Sequence, residues 1–74
     1  RVELVAQIAV DLAAALEIAP ENARARFALG YLRDQEGRRA EAVQQYRAAV
    51  AADPAHVDGW FNLAVSLVTL GQYG

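Results

Sequence analysis

Two stretches decide how this chain folds: PENARARFALGYLRDQEGRR at residues 20–39 and PAHVDGWFNLAVSLVTLGQY at residues 54–73. Laid on one another without a gap, they place Pro20 on Pro54, Phe27 on Phe61, Leu29 on Leu63, Gly30 on Ala64 and Gly37 on Gly71. Every pair shares the offset that separates the two prolines. An Ala-rich chain supplies one or two such coincidences by chance, but hardly five in one register. Self-similarity at a fixed period of this size marks an architecture of stacked repeats.

Within each period the apolar spacing is helical. Val2, Val5, Ala9, Leu12 and Leu16 recur in steps of three and four, which predicts a helix over 2–18. It ends before Pro20, which lacks an N–H and restricts Ala19. Asn22 is an N-cap residue for a second helix over 22–35, and Gly37 is its left-handed stop. Ala42, Val43, Tyr46, Ala49 and Val50 predict a third helix over 38–52, ended by Asp53-Pro54. Trp60, Leu63, Ala64, Leu67 and Leu70 predict a fourth over 56–70, ended by Gly71. Short links between them imply antiparallel neighbours. No segment alternates with a two-residue period, so no strand is expected. Gly30 inside a helix costs about 1 kcal/mol relative to Ala, and close approach of a neighbouring helix is the reason to expect for it.

Composition closes off most chemistry. The chain has 74 residues, one small domain at most, with 7 basic and 9 acidic residues and a net charge of −2. It has no Cys, hence no disulfide framework and no thiolate metal site. All seven bases are Arg, so there is no lysine for a Schiff base or a phosphate loop. One His and one Ser leave little for a nucleophilic triad. Mild acidity argues against a nucleic-acid surface. No apolar run reaches the length of about 18 residues that a membrane span needs. Beginning at Arg1 and stopping just after an apolar segment, the sequence reads as an excerpt of a longer protein. The compartment stays open.

With those residues in view, the chain resembles the tetratricopeptide repeat family, whose unit is a 34-residue helix–turn–helix with the pattern W-x2-L-G-x2-Y, then A-x3-F, A and P. Residues 23–56 resemble one complete unit, through Leu29-Gly30, Ala42, Tyr46, Ala49 and Pro54. Residues 57–73 resemble the first half of the next, through Trp60, Leu63, Ala64 and Gly71. Residues 5–22 resemble the second half of the one before, through Leu12, Ala15 and Pro20. The resemblance implies an all-α fold: antiparallel helix pairs stacked as a right-handed superhelical repeat, about two units with half-units at the ends. Four positions depart from the pattern. Arg26 stands where the first aromatic is usual, Arg33 and Leu67 where the Tyr is usual, and Ile8 where a small residue is usual. The two arginines put charge on a face that the family buries.

One such unit cannot bury both sides of its helix pair, and about three are needed for stability. If Trp60, Phe61, Leu63 and Leu67 were all left wet, roughly 6–12 kcal/mol of burial would be forgone, at about 1.5–3 kcal/mol per side chain. A domain's whole net stability is about 5–15 kcal/mol. The ends are therefore expected to be covered by another copy, as a homo-oligomer or by end-to-end packing through the terminal helices, or by the rest of a parent protein.

The resemblance also implies a function. In the family the first helix of each pair lines a concave face that holds peptides. By register the facing positions are Arg24, Phe27, Tyr31, Asp34 and Gln35, then Asp58, Phe61, Val65, Val68 and Thr69. The stripe Phe27, Tyr31, Phe61, Val65 and Val68 suits a partner helix or peptide with apolar anchors, flanked by Arg24, Asp34 and Asp58. Phe27 and Phe61 are equally readable as filler between units. Tyr31 is expected at the surface, since a Tyr keeps one polar end. Phe27 and Tyr31 occupy the places where one chaperone-binding subgroup carries its carboxylate-gripping Lys and Asn, so that clamp is not expected although Asn62 fits it.

The remaining polar residues read as structural. Arg26 and Arg33, seven apart, share a face and could bind an anion, but the expected use is a stem laid along apolar surface with the head in water, or pairing with a nearby carboxylate such as Asp11 or Glu36. His56 has no fellow metal ligand, and Asp53 and Asp58 near it are expected to cap the fourth helix or favour its dipole. Ser66 is a small packing residue. Glu17 with Glu21, and Glu36 with Glu41, are solvated charges rather than acid–base pairs. Arg38-Arg39 is too small a basic step for nucleic acid. The reading is a protein–protein interaction scaffold, not an enzyme, with no cofactor and no metal. Its partner is a protein or peptide, not nucleic acid or membrane. The rival readings are a self-association arm of a larger protein, a docking segment beside a catalytic domain elsewhere, and, more weakly, a helix-turn-helix DNA reader.

Overall fold

The computed structural model describes residues 2–71, with the side chains of Val2 and Val5 outside the described set. Gln72 and Tyr73, the end of the half-unit expected over 57–73, also lie outside it. The fold is all-α: α1 spans Val2–Ile18, α2 Ala23–Gln35, α3 Arg39–Ala52 and α4 Val57–Leu70. No strand occurs among the described residues. Consecutive helices pack on one another as stacked pairs, and α2 against α3 is the most extensive interface.

The ends of the helices follow local chemistry. Asn22 Oδ1 accepts from Ala25 N at 3.0 Å, satisfying an orphan N–H of the first turn of α2. Helix α2 closes with Gly37 at φ 79°, where Gly37 N donates to Asp34 O and Arg38 N to Arg33 O. That pair of bonds is a Schellman closure, and its left-handed position favours glycine. Gly71 repeats the conformation at φ 75° after α4. The two proline links match as well. Asn22 N donates to Ala19 O and His56 N to Asp53 O, both at 3.0 Å and at equivalent places in the two repeats.

The core lies in two clusters. Leu16, Ala25 and Leu29, with Leu12 against them, join α1 to α2. Ala42, Val43, Tyr46, Val50 and Leu63, with Phe27 and Leu67 against them, join α3 to α4 and reach α2. Tyr46 is fully buried at the centre of the second cluster. Its ring explains Gly30: a Cβ there would lie 2.7 Å from Tyr46 Cε1 and 2.8 Å from Cδ1. Gly59 has a comparable role, since a Cβ would lie 3.0 Å from Val50 Cγ1 and 2.9 Å from His56 Nδ1. Its counterpart in the preceding repeat, Ala25, is also small and buried. Ala64, the counterpart of Gly30, is exposed.

Candidate functional site

The ten positions expected to face a partner lie on α2 and α4, in five repeat-equivalent pairs: 24 with 58, 27 with 61, 31 with 65, 34 with 68 and 35 with 69. The structure divides them into an exposed set and an inward set. Phe61 is 67% exposed, Val68 60%, Tyr31 49% and Val65 47%. Phe61, Val65 and Val68 stand at i, i+4 and i+7 of α4, one helical stripe of apolar side chains in water. Arg24 and Asp58, of opposite charge, are exposed in the first turns of the same two helices.

Phe27 and Asp34 are turned inward. The Phe27 ring is partly buried, 5.7 Å from the Tyr46 ring and 5.0 Å from the His56 ring, centroid to centroid. It binds α2 to α3 and to the start of α4, the filler role rather than a free anchor. Asp34 is the hub of a polar network that sequence reasoning did not find. Its Oδ2 accepts from Tyr46 Oη and from Ser66 Oγ, both at 3.2 Å. Its Oδ1 is buried without a hydrogen bond, and Arg39 Nε lies 3.4 Å from it as an ion-pair partner. Side chains from α2, α3 and α4 thus meet on one carboxylate. Burial, and then the Asp34 charge and hydrogen bond, push the Tyr46 hydroxyl well above its ordinary pKa. No motif announces this hub, because Tyr46 and Ser66 lie 12 and 32 residues from Asp34 in sequence. The available signal was the pair 34 and 68: an Asp stands in the first repeat where the second has Val.

The two arginines at departures from the repeat pattern go separate ways. Arg26 Nε donates to Pro20 O at 3.3 Å, and its Nη1 to Gln45 Oε1 at 3.2 Å. Arg33 Nη1 pairs with Glu36 Oε1 at 3.1 Å. Each guanidinium is thus taken up by its own neighbours. The step Arg38-Arg39 is likewise neutralised: Arg38 makes two bonds of 2.7 Å to Glu41 and a longer contact to Glu36, while Arg39 faces Asp34. Glu36 and Glu41 are therefore ion-pair partners of Arg38, not solvated alone.

His56 is the N-cap of α4. Its Nδ1 accepts from Gly59 N at 2.8 Å, the service that Asn22 performs for α2. The capping role expected of Asp53 is a smaller one: its Oδ1 accepts from Ala55 N within the link, while Asp58 sits in the first turn of α4 near the positive end of the helix dipole. The register 22 and 56 was the overlooked signal for His56. Ser66 is only 1% exposed and bound to Asp34, a packing residue with a specific partner. Among the described residues no group of three His, Cys, Asp or Glu side chains could hold a metal, and no helix is long and apolar enough to cross a membrane.

No curated protein matches the sequence. A family model described as tetratricopeptide repeat matches residues 23–66, which take in all of α2 and α3 and most of α4. That match spans more than half of the chain and covers the Gly30–Tyr46 contact, the Pro54 link and the helix pair α2–α3; the chain belongs to the tetratricopeptide repeat family, whose repeats generally mediate protein–protein interaction and are generally non-catalytic.

Proposed function

We propose that this chain is a protein–protein interaction scaffold that presents an apolar face of α4, with Tyr31 of α2, to a peptide or a partner helix. One observation carries the reading: Phe61, Val65 and Val68 are all about half exposed or more on a single stripe of a helix whose other face is packed into the core. Contiguous apolar surface of this kind marks an interaction site. The helices are already fixed by Tyr46, Leu63 and the Asp34 network, so binding does not have to order the surface. Arg24 and Asp58, at repeat-equivalent ends, give a partner two opposite charges to orient against. The chain does no chemistry of its own in this reading. Its one His and one Ser are engaged structurally, through the α4 cap and the Asp34 carboxylate.

The test is fluorescence polarisation with a panel of labelled amphipathic peptides carrying Leu at i, i+4 and i+7, against peptides with the same residues shuffled. The patterned peptides bind and the shuffled ones do not. Phe61→Ala and Tyr31→Ala each weaken capture by about tenfold or more, since a large apolar side chain contributes about 1.5–3 kcal/mol when buried. Capture unchanged in both variants would move the binding surface elsewhere.

A further inference from the structure

We infer that Asp34 is a positioning residue for the partner-facing surface: by accepting from Ser66 it fixes how far α4 stands from α2, and with that the spacing of Tyr31 against Phe61 and Val65. The inference rests on the binding reading above for its purpose, but not for its geometry.

Helices α2 and α4 each pack on α3 and scarcely on one another. Tyr31 stands on the first, Phe61 and Val65 on the second, so the surface is split across two helices. Contacts at either end tie the halves together directly. At one end the Phe27 ring of α2 lies 5.0 Å from the ring of His56, the N-cap of α4. At the other, Ser66 Oγ donates to Asp34 Oδ2 at 3.2 Å, and among the described residues no other side-chain hydrogen bond joins α2 to α4. Along α2 the two ties are separated by about 10 Å of helix, with Tyr31 between them. On the α4 side they bracket Phe61 and Val65, since the cap precedes Phe61 and Ser66 follows Val65.

The two ties differ in kind. Neighbouring rings hold by apolar contact, which is not directional and lets one helix slide on the other. A hydrogen bond weakens steeply once donor and acceptor misalign, so it fixes a distance. This one is shut away from water: Ser66 is buried, and so is Tyr46, which donates to the same oxygen. A buried hydroxyl that loses its acceptor has no water to replace it, which makes displacement of α4 costly. Asp34 is not free to follow the serine. Tyr46 Oη of α3 holds the same oxygen at 3.2 Å, and Arg39 Nε of α3 faces the other at 3.4 Å. The carboxylate is thus fixed between α2 and α3 and offers its oxygen to α4 at a set place. Phe61 and Val65 share a helix with Ser66, so where the serine is held they are held too.

Dipolar EPR spectroscopy between nitroxide labels tests this, and the absence of native Cys confines labelling to the introduced sites. The first pair, Gln35→Cys with Thr69→Cys, reads the last turns of α2 and α4. The second pair, Arg24→Cys with Asp58→Cys, reads their first turns. All four sites are exposed. Ser66→Ala removes the donor and installs a good helix former. It is expected to broaden the distance distribution of the first pair and move it to longer distance, while the second pair keeps its parent mean. Tyr46→Phe takes a bond from the same carboxylate without touching the tie, and is expected to leave both distributions as they are. Capture of the patterned peptide falls about threefold or more in Ser66→Ala, the effect of one more group to be ordered on binding, and holds in Tyr46→Phe. Circular dichroism establishes that each variant keeps the parent helix content; where Ser66→Ala does not, Asp34→Ala takes its place. An unchanged first-pair distribution in Ser66→Ala, a broadened one with capture unchanged, or the same broadening in Tyr46→Phe overturns the proposal. A parent chain that captures no peptide overturns the binding reading and leaves the distances to decide this one.

Discussion

Arg26 and Trp60, at equivalent places in the two repeats, each donate to the carbonyl of the proline that opens the link before their helix. Arg26 Nε reaches Pro20 O at 3.3 Å and Trp60 Nε1 reaches Pro54 O at 2.8 Å. A guanidinium and an indole share little beyond a flat shape and an N–H at a suitable reach. The repeat therefore preserves the donor that ties the incoming link to the first turn of the helix, and the aromatic ring is one way of supplying it. Arg26 adds a second bond, to Gln45 of α3, that an indole with one N–H cannot make.

Removing either donor loosens its link. Trp60→Phe and Arg26→Met are each expected to lower stability by about 0.5–1.5 kcal/mol, the usual net contribution of one or two partly exposed hydrogen bonds. Arg26→Trp is expected to retain most of what Arg26→Met loses. Urea denaturation followed by circular dichroism reads all three, and an Arg26→Trp variant no more stable than Arg26→Met would show that the Pro20 carbonyl is not what matters.

Gly30→Ala sets two effects against each other. Helix propensity favours Ala by about 1 kcal/mol. Against it, the new Cβ would lie 2.7 Å from a ring that is fully buried and cannot swing away, and overpacking of this kind costs about 1–3 kcal/mol. The net is a loss. Tyr46→Leu alone opens a void and also destabilises. The double variant gives the new Cβ room beside a smaller side chain and is expected to lose less than the two single losses added, by at least about 0.5 kcal/mol in a double-mutant cycle. Strict additivity would deny that the glycine is there for the ring.

Alkaline titration isolates Tyr46. The chain has neither Lys nor Cys, so between about pH 9 and 12 its titrating side chains are tyrosines. The folded pKa of Tyr46 is raised above its unfolded value of about 10, chiefly by burial and then by the Asp34 carboxylate. The stability this contributes is complete below about pH 10 and is lost as pH climbs from there toward the folded value. Once the unfolded hydroxyl is ionised, the slope reaches about 1.4 kcal/mol per pH unit. Tyr46→Phe is expected to remove that slope while costing about 1 kcal/mol at neutral pH. Chemical denaturation at pH 8, 10 and 11 decides, and equal slopes in the parent and Tyr46→Phe would refute it.

His56 and Asn22 cap equivalent helices, and the two are expected to be exchangeable in that role. His56→Ala strips Gly59 N of its acceptor and is expected to cost about 0.5–2 kcal/mol. His56→Asn keeps an acceptor and loses the ring contact with Phe27, so it is expected to fall between the parent and His56→Ala. Thermal unfolding of the three proteins ranks them, and His56→Asn no better than His56→Ala would mean that the ring stacking, not the cap, is what His56 provides.

The number of helices, their limits and the family were legible in the residues, because each rests on short-range rules. Pro20 and Pro54 stop helices by geometry and Gly37 by its left-handed backbone, while apolar residues every three or four positions need only a helix of constant pitch. The repeat period then told how the helices stack, since the same pattern must find the same neighbours. The division of the stripe expected to face a partner was not legible. Phe27 and Phe61 are one residue type in one register, yet one is wedged between Tyr46 and His56 and the other stands in water. Nor was the Asp34 hub, where Tyr46 and Ser66 arrive from two other helices. Exposure and hydrogen bonding depend on which atoms the stacking brings within about 3 Å, and that distance is set by the three-dimensional packing of distant segments rather than by any local preference of the chain.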